Sequence, residues 1–320
     1  MKKIIFLGVG LVLVAGVMLV PIGGSLPAAE NPYLQVPGMD LSSYSDARPG
    51  TPLRVLFIHH SCGGQLLTAP GPEVEKGGRC LYVTHPNGGG LRQLLEDQGY
   101  ELHEASYGSR IGDRTDAFDW LPKFRDQWDE LLRVDMNDLP LPDGQRNQVV
   151  IFKSCYTESR FTGEGEPPGN PAGPDKTLAN YKAHMTALLA ELQKHPEVLF
   201  VYITPPPTSS VVPKERLWKY LLKTALGKPH AADVMAMQGS IARKYNTWIV
   251  AKDGWLADYP LKNVAVFDYY DVLTGHGKSN LSYYAPPDGD DHPTRAGNQA
   301  AAAELVPFFN RAVRRAGLVP

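Results

Sequence analysis

Two short stretches carry side chains from which a covalent hydrolytic site could be built. Residues 54–65 read RVLFIHHSCGGQ, an apolar run that stops at His59, His60, Ser61 and Cys62 and continues into Gly63 and Gly64. Residues 286–299 read PPDGDDHPTRAGNQ and place Asp288, Asp290, Asp291 and His292 ahead of Thr294, a residue type suited to capping a helix. A serine hydroxyl is barely acidic and becomes a nucleophile only beside a base, usually a histidine oriented by a carboxylate. Ser61 offers the hydroxyl, His292 the base, and Asp290 or Asp288 the carboxylate, with Pro293 fixing the backbone beside the imidazole.

The same residues allow other chemistry. His59 and His60 together with Asp288 and Asp290 could be read as a metal site of a phosphoesterase. Neighbouring residues of a strand point to opposite faces, however, so the two histidines do not readily share an ion, and the chain has no HExxH, HxH or paired CxxC pattern. No metal and no cofactor are expected. His60, beside Ser61, is expected to line the pocket and His59 to pack beneath the sheet. Cys62 as a thiol nucleophile is disfavoured because its side chain should point away from that of Ser61. The three cysteines, Cys62, Cys80 and Cys155, cannot all pair within one molecule, but Cys155 could approach Cys62 closely enough for one bridge.

A nucleophile, a base and a carboxylate so far apart in sequence need a scaffold that returns the chain repeatedly to one edge. From Leu53 onward short apolar runs alternate with amphipathic stretches, the pattern of strand-crossover-strand units in a parallel sheet. Five strands are expected, at 54–59, 101–107, 148–155, 198–204 and 263–269, with the second more polar and nearer an edge. Helices are expected at 90–98, 176–194, 214–226, 232–245 and 294–315, with the tryptophans mostly in the core. Thr68–Gly90 and Phe161–Asp175 are rich in Gly and Pro and read as loops. They follow the first and third strands, and ligands bind at the carboxyl ends of strands in such sheets.

The 32 basic and 34 acidic side chains are interspersed, giving a net charge of −2 and no basic field for nucleic acid. Lys2 and Lys3 precede an unbroken apolar run, Ile4 to Val20. Residues 1–29 therefore read as a signal peptide or a retained membrane anchor, which would leave the bulk of the chain outside the cytoplasm. Residues 30–52 read as a linker or arm, and 53–320 as the folded domain. The oligomeric state is not indicated.

In the order of its strands and in its short motifs, the chain from about residue 53 to 315 resembles the SGNH, or GDSL-type, serine hydrolases. The resemblance implies an α/β fold, a three-layer α/β/α sandwich around a mainly parallel, five-stranded flavodoxin-like sheet. IHHSCGG matches the motif carrying the nucleophile, at Ser61; ASYGSRIGD offers Gly108 as a backbone donor to the oxyanion; DGDDHPTRAGN matches the histidine motif, at His292. The chain departs from the family twice. KSCYTES, residues 153–159, lacks the usual asparagine, leaving Ser154, Thr157 or Ser159 as side-chain donors. The family's aspartate position falls on Gly289, straddled by Asp288 and Asp290. In SRIGDRTDAFDW, Arg110 or Asp113 could reach substrate, although surface ion pairs account for such a run. The implied activity is that of an exported esterase or deacetylase acting on a small or carbohydrate ester. The alternatives are an inactive binding or cell-surface protein on the same fold, or a metal-dependent phosphoesterase.

Overall fold

The computed structural model describes residues 39–320, so the apolar run Ile4 to Val20 lies outside the described residues. Among those described, no helix is long and apolar enough to cross a membrane. The main sheet has seven strands: β1 Leu53–Ile58, β2 Tyr100–Ala105, β3 Val134–Met136, β4 Leu139–Pro140, β5 Val149–Lys153, β6 Leu199–Ile203 and β7 Val264–Phe267. Their order is β7-β6-β5-β1-β2-β3-β4, all parallel except the β3-β4 hairpin. The five long strands thus follow the flavodoxin-like order.

Helices α1 Ser61–Leu67, α2 Leu91–Asp97, α3 Trp120–Asp126, α4 Leu178–Leu192, α5 Leu217–Ala225, α6 Ala231–Val250 and α7 Arg295–Arg315 surround this sheet. Alternation along β1 explains its unbroken apolar run. Leu56 and Ile58 join Trp120, Tyr181, Met185 and Tyr245 in one core, while Val55 and Phe57 join Leu66, Leu95, Leu305 and Phe309 in the other. Both faces are covered, so every position must be apolar. The architecture is a three-layer sandwich.

The sheet has seven strands where five were expected. The extra pair comes from VDMNDLP, too short and too polar to stand out from a turn, and it moves β2 off the edge. Within Thr68–Gly90, expected to be a loop, Ala69–Pro70, Val74–Glu75 and Tyr82–His85 form a separate three-stranded sheet. Residues 39–48 of the arm dock on α7: Leu41 is buried, and Arg311 pairs with Asp46 at 2.7 Å. Trp120 and Trp255 are core residues, but Trp218 is 58% exposed.

Candidate active site

Ile58 of β1 pairs with Ala105 of β2 on one side and Phe152 of β5 on the other. The segments after these three strands therefore leave the sheet side by side at the point where the chain direction of build-up reverses, the usual position of a ligand site in open α/β sheets. Strand β1 passes into α1 through His59 and His60 alone, and Ser61 is the first residue of the helix. Gly63 and Gly64 lie inside this helix rather than in a turn. A Cβ on Gly63 would stand 2.3 Å from the His59 Cβ, and one on Gly64 2.1 Å from the Cys80 carbonyl oxygen. The glycines let α1 pack tightly against its neighbours.

The loop before α7 brings His292 to Ser61 from 231 residues away, with Nε2 2.9 Å from the serine Oγ. Its other nitrogen, Nδ1, lies 2.9 Å and 3.1 Å from the two oxygens of Asp290. The His292 backbone N–H also donates to Asp290, at 3.2 Å, so the carboxylate is held by the same short turn that presents the ring. Burial pushes the Asp290 carboxyl up, but the hydrogen bonds and the charge of His292 outweigh it and hold the group below its usual range. Asp288 does not reach the ring; it accepts the Asp290 N–H at 3.1 Å. Asp291 clamps the loop from outside, accepting the Ser209 N–H at 2.6 Å and pairing with Arg160. Behind the loop Asn298 of α7 donates to the Asn87 carbonyl at 2.8 Å and accepts from Tyr269 at 2.6 Å. Thr294 occupies the N-cap position of α7 without a side-chain bond.

Several expected contributors are turned elsewhere. The Ser154 hydroxyl is buried and accepts the Trp120 indole N–H at 2.8 Å, on the core side of the chain. Thr157 donates to Glu158 at 3.3 Å, and Ser159 to the Pro206 carbonyl at 2.8 Å. Gly108 has the left-handed conformation that favours glycine, φ +83°, but its N–H donates to Asp113 at 2.8 Å and is not free for an oxyanion. Arg110 points outward to Glu130 at 3.0 Å, a solvent-exposed pair. The His60 ring stacks on Tyr107 at 3.5 Å and bonds the Gly112 carbonyl at 3.0 Å, which ties the segment after β2 to the turn before Ser61. Burial pushes its pKa down to about 4, so the neutral ring donates from Nε2. His59 is wholly buried, its pKa driven to about 3 by burial, and its Nδ1 donates to the His60 carbonyl at 2.9 Å.

Two further residues stand beside Ser61 and His292: Tyr156, given no role in the sequence, and Cys155, expected there only as a bridge partner of Cys62. Tyr156 sets its ring edge-on to His292, 5.0 Å between centroids. Cys155 places Sγ 3.5 Å from the Ser61 Oγ and 3.2 Å from the Cys62 Sγ, both thiols being free. The hydrogen bond from Cys62 and the nearby Lys153 ammonium hold the Cys155 thiol well below its usual range, whereas burial pushes Cys62 up. The expected approach of Cys155 to Cys62 follows from the register of β5 against β1, but the two thiols stay free and form no bridge. The ligand atoms of Cys62, Cys155 and His292 lie within 4.8 Å of one another, a soft donor trio that could hold a thiophilic cation. The trio does not include His59, His60 or Asp288, the residues on which a metal reading of the sequence would rest.

No protein-family model matches the chain, and no curated protein is significantly similar to it. Among solved structures it is similar to an acetylxylan esterase from Geobacillus stearothermophilus, at 15% identity and a TM-score of 0.36, over 84% of this chain and 96% of that one. It is also similar to a carbohydrate esterase family 2 enzyme with a carbohydrate binding domain from Corynascus thermopiles (Myceliophthora fergusii), at 16% identity and a TM-score of 0.39, over 83% and 67% of the two chains. Likeness at this level carries no assignment of activity.

Proposed function

We propose that the protein is a serine hydrolase that cleaves an ester of a small molecule or carbohydrate outside the cytoplasm. Ser61 Oγ attacks the ester carbonyl while its proton passes to His292 Nε2. Asp290 stabilises the imidazolium through Nδ1, and the tetrahedral oxyanion is met by the Ser61 N–H, which the first turn of α1 leaves without an intrahelical partner. Collapse expels the alcohol, which takes the proton from His292. A water molecule, deprotonated by the same ring, then releases the acid. These steps require no cofactor.

One observation carries this reading: the continuous hydrogen-bonded chain from Ser61 Oγ through both nitrogens of His292 to Asp290. A carbohydrate ester is the substrate class that the SGNH resemblance adds. The test is acetate release from aryl acetates and acetylated xylo-oligosaccharides by the full chain. Ser61→Ala and His292→Ala should each lower kcat by at least about 1,000-fold, with no effect of a chelator. Activity that survives Ser61→Ala, or that disappears with the chelator, would overturn it.

A further inference from the structure

Helix α5 is amphipathic, yet its apolar face is not turned to the core. At about 100° per residue, Leu217, Leu221, Ala225, Trp218 and Leu222 fall in one half of its circumference, while Lys219, Lys223, Tyr220 and Thr224 fall in the other. A surface helix ordinarily turns the apolar half to the core. Here the side-chain contacts of the helix come from its polar half and run to Glu215 and His230, on either side of it in the chain. The Tyr220 ring stacks on His230 with centroids 4.1 Å apart, Thr224 Oγ1 bonds His230 Nε2 at 3.1 Å, and Lys223 pairs with Glu215. The apolar half faces solvent, with Leu217 68%, Trp218 58%, Leu221 57% and Leu222 51% exposed, and with Leu226 just beyond the helix at 58%. None of the nine residues of α5 is buried. Single exposed leucines are ordinary, but a contiguous face of this kind marks an interaction surface.

The charges around the face indicate what covers it. Lys214, Arg216, Lys219 and Lys228 have no carboxylate partner among the described residues. Glu215, the one acidic residue between 211 and 230, is engaged by Lys223 and His230. A chain of net charge −2 therefore sets several cations without carboxylate partners beside this exposed apolar face. Protein interfaces are depleted in lysine, whereas a helix lying in a bilayer surface combines a Leu and Trp face with lysines that extend to the headgroups.

We propose that α5 lies in the plane of an anionic lipid surface, its Leu217, Trp218, Leu221 and Leu222 face in the acyl boundary and Lys214, Arg216, Lys219 and Lys228 at the headgroup phosphates. This contact is separate from the N-terminal apolar run and does not depend on the hydrolase reading. The chain reaches α5 from Ser209, whose N–H holds Asp291 beside His292, so docking sets the lipid surface a short segment away from the His292 loop.

A retained N-terminal anchor would bring the chain to lipid on its own, so the test must report on α5 itself. The three native cysteines are buried, which allows a single environment-sensitive fluorophore on Leu221→Cys and, as a control, on Asp143→Cys in the exposed loop between β4 and β5. Vesicles of phosphatidylglycerol and phosphatidylcholine should shift the 221 probe to the blue and leave the 143 probe unchanged, and phosphatidylcholine alone should shift neither. Adding Lys219→Gln and Lys228→Gln should lower the partition coefficient read at 221 by about fivefold for each charge removed. A 221 probe unmoved by anionic vesicles would overturn the proposal, as would equal shifts with both lipids. A shift that follows protein concentration without lipid would assign the face to self-association instead.

Discussion

The structure separates Asp290 from Asp288, and the difference should be measurable in kcat. Asp290 faces His292 Nδ1 at 2.9 Å and 3.1 Å, whereas Asp288 touches only a backbone N–H, at 3.1 Å. A carboxylate and an imidazolium about 4 Å apart attract by about 1 kcal/mol in bulk water and by about 4 kcal/mol near a protein surface. The Asp290 side chain is 47% exposed, so the interaction falls between these limits, near 2 kcal/mol or about 30-fold in rate. That is far below the roughly 10,000-fold effect of the buried aspartate of the chymotrypsin-type triad, because water screens the charge here. Asp290→Asn should lower kcat on an aryl acetate by about 30-fold with little change in KM, and Asp288→Asn by less than about threefold. Thermal melts would verify that both variants fold. A loss on Asp288→Asn equal to or larger than that on Asp290→Asn would refute the reasoning, as would full activity of Asp290→Asn.

Three further outcomes can be checked. Cys155 places a weakly donating thiol 3.5 Å from the Ser61 hydroxyl. Cys155→Asn replaces it with a neutral amide donor and should raise kcat by about tenfold, less than the 100- to 1,000-fold attached to a fully aligned donor; a fall in kcat at unchanged melting temperature would contradict this. Gly64→Ala would force a Cβ to 2.1 Å from the Cys80 carbonyl oxygen and should destabilise the fold by about 1–3 kcal/mol in a denaturant titration, whereas an unchanged midpoint would show that α1 can shift. Burial favours the neutral form of His60, so its ring should keep its neutral NMR shifts as the pH falls through 6 and 5 and titrate near 4; a midpoint above 6 would place that ring in solvent.

The scaffold was legible where a strand is buried on both faces, because four of the five long strands then carry an apolar run between turn signals, whereas β2, YELHEA, is more polar. The β3-β4 hairpin was not, since two very short edge strands need no such run. The approach of Ser61, His292 and a neighbouring carboxylate was legible, and the placement of Asp290 rather than Asp288 at the ring is what the structure adds. It depends on a turn in which Asp290 accepts the His292 N–H. The oxyanion donors named from the motif fared differently, because Gly108, Ser154 and Thr157 each form a bond elsewhere that sequence spacing does not reveal. The helix over α5 was legible from its period, yet period alone assigns the apolar stripe to the core. The exposure of Leu217, Trp218, Leu221 and Leu222 departs from that assignment.

The most direct measurement is the mass of the peptide containing Ser61 after treatment with a fluorophosphonate, which bonds to a serine activated by a neighbouring base. A Ser61 nucleophile predicts one adduct, on that peptide, lost in His292→Ala and indifferent to chelator. A folded protein without an adduct, or an adduct on another residue, would contradict it.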